Sequence, residues 1–271
     1  MTILCDMSLE ELFNYQASEE VLPVIALDSF SLEPVKGSSL EEIIKASQEY
    51  RLCVDASGLV VESRLSEFEE AIKRLLVETK DDVIFSDLAV FNLLKEYKAL
   101  NRGIYAPETL IMNSYDLAFY SQCGVTIGLS LENSKDELYK MAETGVATMI
   151  DIWGYHRYLV TPRQVITAYN DGNHVDLPKS GVMRENNRCE WYHIEENENG
   201  TWVLSPKPFA IRRETLNKIH PMMGRIKRYN ATWELRDSII KAYLAHSDAF
   251  TLGLELREAP MMGETVLTKV K

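Results

Sequence analysis

Cysteine is scarce. The four in 271 residues, Cys5, Cys53, Cys123 and Cys189, form no C-x-x-C pair, which excludes a zinc ribbon and a disulfide framework and favours a reducing cytoplasm. No run approaches about 18 uninterrupted apolar residues, so no membrane span is expected. The opening MTILCDMSLEELF lacks the basic and long apolar regions of a signal peptide. The sequons Asn199-Gly-Thr and Asn230-Ala-Thr are then chance matches, because glycosylation requires export. Basic charge is also short: a net charge of −12 opposes broad nucleic-acid binding, which needs a positive surface. Neither G-x-G-x-x-G nor G-x-x-x-x-G-K-[ST] occurs, nor do G-x-S-x-G or H-E-x-x-H, so no nucleotide-binding or hydrolase motif is present. The five histidines show no i,i+4 pairing, and no metal site is expected.

What is present is core-forming material, 46% apolar, enough for one large domain. Short apolar runs at 21–28, 51–55, 82–85, 103–106, 125–130 and 148–153 alternate with amphipathic segments, the rhythm of parallel strands joined by helices. Three S-x-x-E boxes, Ser39 to Glu42, Ser66 to Glu69 and Ser134 to Glu137, mark helix starts. Phe68, Ile72, Leu75 and Leu76 fall on one helical face, and Gly124 and Gly145 end helices ahead of strands. After residue 170 the rhythm changes: EWYHI and TWVLS bracket the turn-forming EENENG, giving an antiparallel β-hairpin insertion over 171–207. A closing strand in MMGRIKRY (222–229) and a helix in WELRDSIIKAYLAH (233–246) follow. The sum predicts a TIM-like (β/α) barrel of about eight strands in a single domain, 1–271, with an open doubly wound sheet as the rival.

In a parallel barrel the residues that act stand at the C-terminal strand ends. This selects Asp28, Asp55, Asp87, Ser130 and Glu132, with Asn113 in its loop and the stretch DIWGYHRYLVTPRQ after the sixth run. There Tyr155, His156, Arg157 and Arg163 face the carboxylates, joined by Arg225. His156 has the chemistry of a general base, or packs as part of a loop on the insertion. The aspartates either line a pocket or cap the elements that follow them.

DVIFSDLAVFNLLKEY, the Asn113 loop, Cys123 to Ser130 leading to Glu132, the strand end at Gly154, Asn187-Arg-Cys-Glu-Trp-Tyr192, Ser205-Pro-Lys207 and RIKRYNATWELRDSIIKAY occur in an order that resembles the collagenase-like peptidase family U-32. The resemblance covers roughly 200 residues and implies a TIM-like barrel, often with a cysteine-held iron–sulfur cluster at its mouth. Its members include proteins called peptidases and proteins needed for oxygen-independent hydroxylation of RNA bases or of the ubiquinone ring, several of which act in pairs. After Gly154, Arg157 and Gln164 hold the positions of two cluster cysteines; Cys189 matches a third, and the fourth falls near Ala210. One cysteine does not hold a [4Fe–4S] cluster, so no cofactor is expected. Trp153 replaces a histidine common in the family, and Lys227 stands at an acidic position of the closing strand.

Three readings follow. The first is an enzyme without a cluster, acting on a small anionic molecule or a peptide. In it His156, Asp55 and Asp87 are catalytic, and Tyr155, Arg157, Arg163, Asn113, Glu132, Arg225 and Lys227 bind. The second is a non-catalytic subunit that pairs through the hairpin insertion with a related, cluster-bearing barrel. The third is the peptidase activity in the family's name.

Overall fold

A computed structural model of the protein describes residues 1–16, 18–107, 110–185 and 190–261. Seven parallel strands come first: β1 (Thr2–Asp6), β2 (Val21–Ala26), β3 (Cys53–Ala56), β4 (Asp82–Phe85), β5 (Gly103–Tyr105), β6 (Thr126–Gly128) and β7 (Thr148–Gly154). An antiparallel sheet interrupts the series with β8 (Arg157–Thr161), β9 (Ser180–Arg184), β10 (Trp191–Asn197) and β11 (Gly200–Leu204). The short β12 (Phe209–Ala210) lies antiparallel beside β7, and β13 (Met223–Ile226) closes a barrel by pairing in parallel with both β7 and β1. A last strand, β14 (Arg257–Glu258), adds to β12.

The helices are α1 (Leu9–Asn14), α2 (Leu40–Ala46), α3 (Leu65–Glu78), α4 (Leu88–Glu96), α5 (Ser114–Ser121), α6 (Lys135–Ala142), α7 (Val165–Asn173), α8 (Arg213–Ile219) and α9 (Trp233–Leu244). This is the closed eight-stranded TIM-like barrel, not the open sheet. Two apolar layers hold it. Leu4, Leu22, Val24, Cys53, Ile84, Ile104 and Met149 fill the barrel interior. A larger layer between strands and helices includes the predicted α3 stripe of Phe68, Ile72, Leu75 and Leu76. No helix among the described residues is long and apolar enough to cross a membrane.

Local signals were read correctly where their geometry is self-contained. The boxes at Ser39 and Ser134 are formed with both reciprocal bonds, and Gly124 and Gly145 adopt φ of +81° and +68°. Three expectations differ. The first barrel strand is β1, whose apolar run Ile3-Leu4-Cys5 is short and leads at once into a further capping box, Ser8 with Glu11. Ser66 lies inside α3, because a 3-10 turn, Glu62–Arg64, runs straight into the helix. The antiparallel sheet has four strands and begins at Arg157, ahead of residue 171, since Gly154 at φ +150° turns the chain out of β7 and β8 then pairs with β11.

Candidate functional site

Successive residues of a strand face opposite sides, so residues two apart share a face. On β1, β3 and β7, Leu4, Cys53 and Met149 point into the barrel; Asp6, Asp55 and Asp151 follow two residues later on the same face. Met223 packs on that interior from β13, and Arg225 and then Lys227 continue its face. The apolar interior therefore ends, at the C-terminal end of the strands, in a charged layer.

The charges in that layer are paired. Arg225 grips Asp6 with two bonds, Nε to Oδ1 at 2.8 Å and Nη2 to Oδ2 at 3.1 Å, and donates from Nη2 to Asp55 Oδ2 as well. Asp55 is fully buried, and its Oδ1 accepts from the Ser57 backbone N–H at 2.9 Å and from the Ser57 hydroxyl. Lys227 Nζ lies 2.8 Å from Asp151 and 3.4 Å from Glu33. Glu33 also meets Arg157 at 3.3 Å and Arg225 at 3.6 Å. It comes from the loop after β2, which folds over the mouth with the Leu32 carbonyl accepting from Arg157 Nη1 (2.7 Å) and Trp202 Nε1 (2.8 Å).

Burial would raise the Glu33 carboxyl, but Lys227, Arg157 and Arg225 outweigh it and hold the pKa at about 2. Asp6 goes the other way. Burial, aided by Glu33 and Asp55, exceeds the pull of Arg225 and lifts it to about 6.

His156 Nε2 is 3.0 Å from Glu132 Oε1. Burial drives the imidazole down to about 4, with Glu132 opposing and Lys227 and Arg257 assisting. It is therefore neutral at pH 7, and with Nε2–H donating to the carboxylate, Nδ1 is the acceptor nitrogen.

A cavity of about 80 Å³ opens in this layer, lined by Glu132, Asp151, His156, Arg157, Arg225 and Lys227 among others. Five of the ten predicted residues thus converge there: His156, Arg157, Glu132, Arg225 and Lys227. Asp55 stands one bond behind, through Arg225. The other four are elsewhere. Asp87 caps α4 by accepting from the Ala89 N–H at 2.9 Å, and Asn113 caps α5 by accepting from the N–H groups of Tyr115 and Asp116. Each side-chain oxygen answers a helix's free first-turn donor, so neither aspartate nor asparagine faces the cavity. Arg163 is exposed on the insertion, carried outward by β8. Tyr155 is buried edge-on against His193 and Tyr229, its hydroxyl accepting from Asn230, and joins the insertion to the barrel.

Sequence reasoning missed Asp6, Glu33 and Asp151. The alternation of apolar and acidic residues on a shared strand face would have found Asp6 and Asp151. Glu33 has no such signal, since an irregular loop carries it.

Among the described residues, no cysteine lines the mouth cavity. Arg157, at the first cysteine position of the resemblance, places a buried guanidinium against Glu33. Gln164 is exposed on the insertion and Ala210 is in β12; Cys189 lies outside the described residues. Among the described residues no three His, Cys, Asp or Glu side chains gather to hold a metal ion.

The model of peptidase family U32 matches residues 28–225. Among solved structures, the U32 peptidase Mk0906 superposes with a TM-score of 0.52 at 11% identity, over 85% of this chain and 94% of that chain. A chitinase from Chromobacterium violaceum gives a looser likeness, with a TM-score of 0.40 at 11% identity over 90% of this chain and 99% of that one. A comparison with curated proteins found no match. The family match spans most of the chain, from the residue after Leu27 to the arginine at the centre of the charged layer, and the protein belongs to peptidase family U32.

Proposed function

We propose that this U32-family barrel works without an iron–sulfur cluster and binds the polar end of a peptide or small anionic molecule at its mouth. The observation that carries the reading is the meeting of Arg157, Arg225 and Lys227 with Glu132, Asp151 and His156 around one cavity at the strand ends. At about 80 Å³ the cavity has room for a terminal group, with the rest of the ligand outside.

Charge decides between the ligand classes. The three cations already face Asp6, Glu33, Asp55 and Asp151, so a bare anion would compete with carboxylates for them. A ligand with both an acidic group for Lys227 or Arg157 and donors for Glu132 and Asp151, as at a peptide terminus, offsets that competition by bonding the displaced carboxylates. Hydrolysis of a bound peptide would use neutral His156 as base toward water, with Glu132 orienting the ring. A cytoplasmic home is consistent with free thiols at Cys5, Cys53 and Cys123.

A thermal-shift titration with short peptides tests the binding reading. Saturation at 100 Kd should add about 2.7 kcal/mol of stability, and Lys227→Met should abolish most of that gain. Equal shifts in both proteins would refute it. The cluster-free reading falls if anaerobically purified protein carries stoichiometric iron with a visible absorption band.

A second reading, the pairing subunit, draws on the insertion. Leu159, Val203, Ile194 and Gly181 align across its four strands, and Tyr158, Leu159 and Met183 are exposed beside them. Such a face suits a second barrel, of its own kind or a cluster-bearing relative. Co-purification from the native host, with loss on Leu159→Asp, would support it.

A further inference from the structure

Beside the mouth, residues 29–32 after β2, residues 58–64 after β3 and the tip of the insertion enclose a second hollow of about 380 Å³. Its base is apolar: Phe30 and Trp202 are buried there. Its lips are mixed, and their apolar side chains face solvent. Leu59 is 72% exposed, Val61 54% and Val160 36%. Three large aliphatic side chains around one groove contribute little to the core and form the kind of surface that marks a binding groove. The groove's arginine, Arg64, is already engaged, lying over the Phe30 ring at 4.6 Å and paired with Glu67 at 3.2 Å. Glu198 at the rim disfavours an acidic occupant.

The groove and the mouth share a wall. The Leu32 carbonyl accepts from Arg157, which lines the mouth cavity, and from Trp202, which lines the groove. The Leu32 carbonyl, with the Arg157 and Trp202 side chains bonded to it, thus separates a polar, charged pocket from an apolar one. A ligand that fills both carries a polar end next to a large apolar side chain.

We propose that Phe30, Leu59, Val61, Val160 and Trp202 form a side-chain subsite that selects an aliphatic or aromatic residue of a peptide whose polar end occupies the mouth. The inference rests on the mouth-binding reading and names the kind of peptide it takes.

The test uses the full chain and peptides Gly-Gly-Gly-X, labelled with fluorescein at the amino end and free at the carboxyl end, with X as Leu, Phe, Gly or Asp, read by fluorescence anisotropy. Leu and Phe peptides should bind at least about tenfold tighter than the Gly and Asp peptides. Leu59→Asp and Val61→Asp, at exposed positions that leave folding intact, should bring the Leu and Phe peptides down to the Gly level. Equal affinity for all four peptides, no binding of any, or a preference that survives both substitutions would overturn the subsite. So would a Leu59→Asp protein that sediments as a monomer where the parent is a dimer, since the groove would then hold a second copy. Lys227→Met separates the two readings. A uniform loss across all four peptides supports the mouth, whereas unchanged affinities with the Leu59-dependent preference intact leave the subsite standing and remove the mouth.

Discussion

Arg225 and Asp55 meet across the barrel at the level where its apolar interior ends, and the same guanidinium holds Asp6 from a third strand. Three strands distant in sequence are tied by one side chain. With Glu33 within 3.6 Å of it, Arg225 is the cation on which Asp6 and Asp55 depend and which Glu33 shares with Lys227 and Arg157.

Replacing Arg225 by Met should therefore destabilise the fold by about 3–5 kcal/mol, because it leaves buried carboxylates uncompensated. Asp55→Asn removes a charge and keeps a hydrogen-bonding shape, so its loss should be smaller. Because the orphaned carboxylates can take up protons, the Arg225→Met deficit should shrink between pH 8 and pH 5. Urea unfolding midpoints at both pH values measure it. A deficit independent of pH would contradict the network.

Asp87 and Asn113 give the opposite expectation. As helix caps, their replacement by Ala should each lower stability by about 1 kcal/mol and leave peptide binding as it was. A collapse of binding with unchanged melting would return either residue to the functional site.

The division between legible and hidden residues has a physical origin. β2 through β7 announce themselves as apolar runs between helices because both faces of a barrel strand are buried. β1 does not, being short and abutting Ser8. Arg225 was found in the apolar-basic closing run, Lys227 from the acidic position it takes in the family resemblance, and His156 and Arg157 from their place after β7. Three of the carboxylates opposite them were hidden, by different causes. Asp151 sits within a strand and reads as part of it, Asp6 belongs to the unrecognised strand, and Glu33 arrives on a loop whose path is set by tertiary bonds from Arg157 and Trp202. Pairing changed the meaning of the basic residues: apart they suggest an anion pocket, together with these acids a balanced one.

The titrations of His156 and Asp6 oppose each other. His156 has a folded pKa of about 4 against 6.5 ordinarily, so the unfolded chain takes up the proton first and stability falls as pH drops from about 6.5 to 4. Asp6 has a folded pKa of about 6 against 3.8, so the folded chain takes up the proton first. Acidification over about 6 to 4 then adds stability. His156→Gln removes only the first contribution. Relative to the parent, the variant should gain up to about 3 kcal/mol between pH 7 and pH 4, read as diverging urea midpoints. Parallel curves would mean that the imidazole is not held neutral by burial.

Gly154 lies against Lys227 where β7 ends. It adopts φ +150°, and a Cβ at that position would stand 2.7 Å from Lys227 Cβ. Gly154→Ala should thus cost about 1–3 kcal/mol in backbone strain alone and, by pushing the Lys227 stem away, weaken the ion pair with Asp151. Peptide affinity should fall along with stability. A double-mutant cycle with Lys227→Gly separates the two effects, since removing the Lys227 side chain relieves the contact and leaves the strained φ in place. A coupling of at least about 0.5 kcal/mol would assign the contact a share of the loss. Strict additivity would place the whole effect in the backbone and leave Lys227 to be positioned by Asp151 and Glu33 without help from the glycine.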